Sequence, residues 1–276
     1  PAAQLDPPAL IQAMIGREIA DIYPRRTPAV GRVGLEAKEI ASPGAFQDIS
    51  FSVRYGEVFG LAGLMGSGRT EVAETLFGVR PLSGGSVEVD GKPADIPDPG
   101  RAADWGLALV HEDRKGVGLN LKASVKDNMS LPRLARFCRF GVVNARVERE
   151  AVGRMMNAFR IKATSQRQIV NHLSGGNQQK VVLSKWLMAE PRILILDEPT
   201  RGIDVGAKTE IYALIADLAA KGKAILFISS ELPEIIGLCD RVLVMHEGRS
   251  MGVVEKGDIT QEHIMRLATA QFQPTN

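Results

Sequence analysis

The 276-residue chain is poor in the residues that staple a fold or ligate a metal: two cysteines, four histidines, two tryptophans and three tyrosines. Cys138 and Cys239 lie far apart, without metal-ligand spacing, which fits reduced thiols in a cytosolic protein. The histidines are equally scattered, so no metal centre is assigned to them. No apolar run approaches the ~18 residues of a membrane-spanning helix. No basic segment followed by an apolar core marks a secretory leader. Charge of one sign is scarce too: 34 Lys+Arg against 32 Asp+Glu leaves +2 at pH 7. The basic residues form no stripe, so nucleic acid is not an expected partner. What remains is an ordinary apolar content of 45%, in a chain long enough for one large domain or two modest ones.

Glycine, by contrast, is plentiful and placed where chemistry can use it. Val58-Phe59-Gly60-Leu61-Ala62 reads as a buried strand running into Gly63-Leu64-Met65-Gly66-Ser67-Gly68-Arg69-Thr70 and a helix to Phe77. Strand, glycine loop and helix together make the setting of a phosphate cradle, because glycines let backbone N–H groups converge on an anion at a positive helix end. A second glycine turn, Leu173-Ser174-Gly175-Gly176-Asn177-Gln178-Gln179, opens a helix carrying Val181, Val182, Trp186 and Leu187, with Ser174 placed to cap it. Pro191 breaks that helix. The apolar run Ile193-Leu194-Ile195-Leu196 then reads as a buried parallel strand ending in Asp197-Glu198. Carboxylates at such a strand end sit where α/β sheets bind ligands. Asp197 would hold Mg²⁺ and Glu198 would orient or deprotonate a water. Alone, the acidic pair is equally a strand end before a helix cap; for the glycine loop, the strand before it and Thr70 after it favour the cradle over a tight turn without a ligand.

The rest of the chain alternates strands and helices. Ile49, Phe51 and Val53 face one way, Ser86 to Val89 with Asp90-Gly91 signals a hairpin, and Leu107 to Val110 is a short strand. Residues 124–162 are helical in pattern, with Val147, Ala151, Val152, Met155, Met156 and Phe159 as a core stripe. Arg133, Arg136 and Arg139 read as a solvated face. Val205 to Ala220 is an amphipathic helix, and Ala224 to Ile228 a buried strand ending at Ser229-Ser230-Glu231. The short helical pattern of residues 9–17 resembles that of residues 260–267, as if residues 1–30 were the tail of a preceding unit and a linker. Residues 31–276 would then be one domain, with a helical part at about 117–190.

Gly63–Thr70, Leu173–Gln179, Ile193–Glu198 and Thr200–Asp204 occur in the order and spacing of an ATP-binding cassette. More narrowly, Gly63–Glu71, Glu112-Asp113-Arg114-Lys115, Leu173–Lys180, Glu198–Asp204 and Ser229–Pro233 resemble the second cassette of tandem ATPases that power import of ribose, galactose and xylose in bacteria. The resemblance implies an α/β, P-loop fold with a mixed or parallel core sheet, an antiparallel β subdomain and a helical signature subdomain. It implies ATP hydrolysis with ATP and Mg²⁺ as cofactors. Gly63, Gly66, Ser67, Gly68, Arg69, Thr70, Glu112 and Ser230 would surround the nucleotide, Thr70 and Asp197 would face Mg²⁺, and Glu198 would be the catalytic carboxylate. Ser174, Gly175, Gly176 and Gln178 would close over nucleotide held by another cassette, with Asp204 at that interface. The implied partners are the first cassette of the same tandem protein or a second copy, an integral membrane permease, and indirectly a periplasmic sugar-binding protein. The implied location is peripheral, at the cytoplasmic face of the bacterial inner membrane.

Three positions depart from the general cassette pattern: Arg69 stands for Lys, Glu112 for Gln and Ser230 for the switch His. A guanidinium is a broad fork where a compact ammonium is expected. A carboxylate at 112 adds negative charge near phosphates, and a hydroxyl at 230 cannot act as a cation. The expectation is an intact signature beside an altered phosphate site. Two other classes stay open here: a non-transport cassette, which would carry long insertions or basic arms, and a catalytically silent regulatory nucleotide-binding module.

Overall fold

The computed structural model describes residues 23, 24 and 30–270. The expected N-terminal tail, residues 1–30, therefore lies outside the described residues apart from Tyr23, Pro24 and Val30. An antiparallel ribbon comes first, β1 (Val33–Ser42) and β2 (Phe46–Arg54). The period-two pattern of β2 buries Ile49, Phe51 and Val53 together, as the sequence predicts. β3 (Val58–Gly63) enters a second sheet and feeds the glycine loop and α1 (Arg69–Leu76). β4 (Gly84–Val89) and β5 (Lys92–Pro93) return to the first sheet, turning on Asp90 and Gly91 at φ 54° and 71°. That pair of left-handed residues is what a two-residue hairpin demands.

α2 (Pro99–Asp104) leads to β6 (Leu107–Val110), an edge of the second sheet. Next comes a helical arm: α3 (Val125–Ser130), a small hairpin of β7 (Cys138–Arg139) and β8 (Val142–Val143), α4 (Ala145–Ala158) and α5 (Gly175–Leu187). β9 (Ile193–Asp197), α6 (Val205–Ala220), β10 (Ala224–Ile228), α7 (Leu232–Leu238), β11 (Arg241–His246), β12 (Arg249–Glu255) and α8 (Gln261–Thr269) complete the described chain.

The second sheet has the order β12-β11-β3-β10-β9-β6 and is parallel except for β12; the first, β2-β1-β4-β5, is antiparallel. Alternate residues of the parallel strands enter two different cores. Ala62, Leu194, Leu196 and Phe227 pack with the helical arm and α6, whereas Leu61, Ile193, Ile195 and Leu226 pack with α1 and the antiparallel sheet. Burial on both faces is why these strands read as unbroken apolar runs. In the parallel register Ile228 stands beside both Leu61 and Asp197. The loops after β3, β9 and β10 therefore leave one edge of the sheet together, and that edge holds the cleft described below.

Three expectations are corrected. The helical pattern of 124–162 is interrupted, because Pro132 supplies no backbone N–H and opens a 3-10 turn over Leu131–Phe137. Phe140 and Gly141, at φ 52° and 77°, then turn the β7–β8 hairpin. The expected core stripe is also thinner than its periodicity implies: Val152 is fully buried, Met155, Met156 and Phe159 only edge the core, and Val147 is exposed. Nor do the three arginines form a purely solvated face. Arg133 donates to the Ala103 carbonyl at 2.6 Å, and Arg136 pairs with Glu190 at 3.1 Å.

Candidate functional site

The glycine loop folds as its sequence dictates. Gly66 and Gly68 adopt φ 78° and 95°, and Gly68 is the N-cap of α1. Gly63 ends β3 and lies beneath the loop, while Ser67 is buried with its hydroxyl unpartnered. Above the loop opens a cleft of ≈ 440 Å³. Gly66 to Glu71 line one wall; Glu112, Asp197, Glu198, Arg201, Ile228 and Ser230 line the other. The structure thus brings Gly66, Ser67, Gly68, Arg69, Thr70, Glu112, Asp197, Glu198 and Ser230 to one cavity, from segments far apart in sequence.

The electrostatics of this cleft are unusual. Asp197 is 1% exposed, and neither carboxylate oxygen completes a hydrogen bond of ordinary geometry. Burial pushes its pKa up to about 7; the Thr70 hydroxyl and His111 pull it down, while Glu112 and Glu198 add to the rise. Glu198 is also raised, mainly by burial, against the hydroxyl and N–H of Ser230 and the charge of Arg69. It sits at φ 47° with its N–H donated to the Ile228 carbonyl at 3.0 Å. Arg69 crosses the cleft, its Nη1 donating to the Ser229 carbonyl at 2.8 Å. Burial lowers its pKa, and Glu198, Asp197, Glu112 and Glu71 oppose that. Glu112 does not bring bare negative charge, because Arg201 pairs with it at 2.6 Å.

A buried carboxylate with two orphaned oxygens beside a threonine hydroxyl fits a hard cation. Among the described residues no cluster of three or more His, Cys, Asp or Glu could hold a metal. Asp197 and Thr70 would thus supply few ligands, as suits Mg²⁺, which keeps waters and takes phosphate oxygens.

The second glycine turn is built differently, and none of Ser174, Gly175, Gly176 or Gln178 lines the cleft. Ser174 is the N-cap of α5, but its hydroxyl makes no cap hydrogen bond, since it accepts from Asn177 Nδ2 at 2.9 Å instead. Gly176 has an ordinary φ, yet a Cβ there would lie 2.7 Å from the Ala207 Cβ. Gly175 packs close to the Gly202 carbonyl and the Arg114 guanidinium. Gln178 is buried and donates to the Val170 carbonyl at 3.2 Å, so its side chain turns inward while Ser174 stays exposed. Asp204 caps α6, accepting from the Ala207 N–H at 2.9 Å, and so joins the turn to the segment after Glu198.

Sequence reasoning missed Arg201, Arg114 and Glu234. Arg201 and Glu112 are 89 positions apart, so no local pattern links them. Arg114 lies behind the second glycine turn, reaching Gln179 Oε1 at 3.4 Å. For Glu234 a signal existed, a lone acid in the short apolar helix Leu232–Leu238, where burial is complete.

A family model described as ABC transporter matches residues 46–201. A putative ribose/galactose/methyl galactoside import ATP-binding protein of Pseudomonas fluorescens is 50% identical over 268 residues, covering 97% of this chain and 52% of its own length. The ribose import ATP-binding protein RbsA of Geobacillus kaustophilus is 50% identical over 260 residues, covering 94% of this chain and 53% of its own. The chain thus spans about half the length of the curated relatives it matches. Among solved structures, a nucleotide-free ATP-binding cassette from an ABC transporter superposes with TM-score 0.73 at 18% identity, over 87% of this chain and 100% of that one. The cbiO1 protein from Clostridium perfringens does so with TM-score 0.70 at 23% identity, over 85% and 93%. At such identities these two likenesses establish the α/β fold alone.

Proposed function

The chain belongs to the ABC transporter family, and on that premise we propose that it is an ATP-hydrolysing cassette of a bacterial importer, coupling ATP binding and hydrolysis to uptake of a ribose- or galactose-type sugar. We place it as the second cassette of a tandem protein, with residues 31–276 as the cassette, about 117–190 as its helical subdomain and 1–30 as the tail of the first. The half-length match to import ATP-binding proteins supports that placement. Its own nucleotide site is degenerate, and its signature turn completes a site on the partner cassette. One observation carries this asymmetry: Arg69 is anchored across its own cleft on the Ser229 carbonyl, whereas Ser174 stands exposed at the head of α5.

MgATP, when bound, supplies the phosphoanhydride bond that water cleaves. The loop N–H groups between Gly63 and Thr70 bind its phosphates. Thr70 and Asp197 hold the cation. Glu198, whose pKa burial raises, is suited to take a proton from an attacking water. Arg69 adds charge without the compact geometry of an ammonium. Ser230 offers Glu198 a hydroxyl and no positive charge, and Glu112 is already committed to Arg201. Binding is retained in such a site and turnover is slow.

On the other face, Ser174, Gly175 and Gly176 meet nucleotide held by the first cassette or by a second copy, with Asp204 at the interface. Gln178 supports that turn from within. A membrane permease is the mechanical partner, touching residues 112–140, and a periplasmic sugar-binding protein is an indirect one. The protein is peripheral on the cytoplasmic face of the inner membrane. The test is ATPase activity of the chain alone and mixed with a full first cassette. Little turnover alone and robust turnover in the mixture are expected. Robust turnover by the isolated chain, abolished by Glu198→Gln, contradicts the proposal.

A further inference from the structure

One carboxylate outside the cleft is wholly buried and surrounded by donors. Glu234, in the first turn of α7, is 0% exposed. Its Oε1 accepts from Tyr212 Oη at 2.6 Å and Thr200 Oγ1 at 2.7 Å, and Lys208 Nζ lies 3.3 Å away. Its Oε2 accepts from Ser229 Oγ at 2.7 Å and Thr200 Oγ1 at 2.8 Å.

The four donors come from three different pieces of the proposed site. Thr200 lies two residues after Glu198 and four before Asp204. Ser229 receives Arg69 on its carbonyl and precedes Ser230, which hydrogen-bonds Glu198. Tyr212 and Lys208 stand on α6, the helix that Asp204 caps. Burying a carboxylate is costly, and apolar packing of equal volume is often as stable. Stability alone therefore gives little reason for an acid here. A carboxylate does what apolar packing cannot: it fixes the register of several loops through directional bonds.

We propose that Glu234 is a positioning residue of the nucleotide site, locking the Ser229–Ser230 segment and the Thr200–Asp204 segment to each other and to α6. The placement of Ser230 against Glu198, and of Asp204 at the start of α6, then depends on one buried side chain that never touches nucleotide. This rests on the nucleotide-binding reading above. The glycine loop is carried by β3 and α1, and none of the donors named above lies on it; Arg69 alone reaches them, through the Ser229 carbonyl. A diphosphate held by the loop is therefore less sensitive to Glu234 than a triphosphate that also needs the facing wall.

The experiment uses the full chain, with affinities for trinitrophenyl-labelled ATP and ADP measured in Mg²⁺ alongside thermal unfolding. Glu234→Gln keeps the shape but turns one acceptor into a donor. It is expected to weaken ATP about tenfold and ADP less than about twofold, as loss of hydrogen bonds to a charged group implies. Ser229→Ala removes the link to Glu234 and the bond that Ser229 Oγ accepts from the Glu231 N–H at 3.0 Å, and is expected to weaken ATP about threefold with a small loss of Tm. The double variant is expected to be no worse than Glu234→Gln, since the two act as one unit. If Glu234→Gln does not fold, Ser229→Ala decides alone. An unchanged ratio of ATP to ADP affinity in the folded variants, whatever happens to Tm, overturns the proposal. A wild-type chain that binds neither nucleotide removes the underlying functional reading, and the proposal with it, before any substitution is made.

Discussion

The glycine loop and the signature turn are both glycine-rich and both open a helix, yet their glycines answer different demands. In the loop, Gly66 sits at φ 78° with open space where a Cβ would go, so its glycine serves backbone conformation. In the signature turn, Gly176 has an ordinary φ but no room, because Ala207 occupies the place of a side chain. The polar groups divide the same way. Asp197 and Ser67 are buried and orphaned in the cleft, whereas Ser174 and Gln178 already have partners within the chain. The cleft thus keeps polar groups without a partner from the chain itself. The second glycine turn is braced from behind by Gln178, with Ser174 exposed at its head.

The contrast can be broken first at the glycines. Gly176→Val should force α5 away from α6 and lower Tm by about 8 °C, the scale of overpacking in a chain of this size. Gly66→Ala should lower Tm by only about 3 °C, through left-handed strain, while weakening ATP binding at least roughly tenfold. Differential scanning fluorimetry with and without MgATP checks both, and equal Tm losses would erase the distinction.

Asp197 offers the next largest effect. Its folded-state pKa is raised to about 7 by burial, above its ordinary 3.8. The native state therefore binds the proton more tightly than the unfolded chain, and stability in metal-free buffer falls as pH rises across that window. Asp197→Asn should raise Tm by roughly 4 °C at pH 8 without Mg²⁺, and the gain should shrink as pH falls, vanishing only below the ordinary carboxyl value of 3.8. A gain independent of pH would show that the carboxylate is not the destabilising group.

Smaller effects sharpen the account of the altered positions. Arg69→Lys should tighten ATP binding about threefold, because a shorter cation no longer spans to the Ser229 carbonyl. Titration calorimetry reads this directly, and weaker binding would mean that the Arg69 anchor serves the nucleotide. Arg201→Ala leaves Glu112 unpaired beside the phosphates and should weaken ATP about twofold. The 64% exposure of the Arg201 side chain limits the stability cost to about 0.5 kcal/mol or less.

What the sequence disclosed depended on distance along the chain. The strand, loop and helix around Gly66 are contiguous, so glycine spacing and apolar runs marked them without help. The Asp197-Glu198 strand end was equally local. Residues 124–162 misled because a helical period survives Pro132 and Gly141, which break the backbone without breaking the pattern. Ser174 is the N-cap that the sequence predicts, but Asn177, three residues on, claims the hydroxyl that a cap would offer the backbone. The Arg201–Glu112 pair and the donors around Glu234 come from separate elements, and only the sheet's parallel register assembles them. Hence the site's floor was readable in advance, while the groups that tune it were not.

The most direct test of the proposed asymmetry compares two substitutions in an assembled pair of this chain and the proposed partner cassette. ATP turnover by the pair should be lost with Ser174→Arg in this chain and largely kept with Glu198→Gln. Turnover that survives Ser174→Arg and disappears with Glu198→Gln would show that this cassette hydrolyses its own nucleotide and lends nothing to its neighbour.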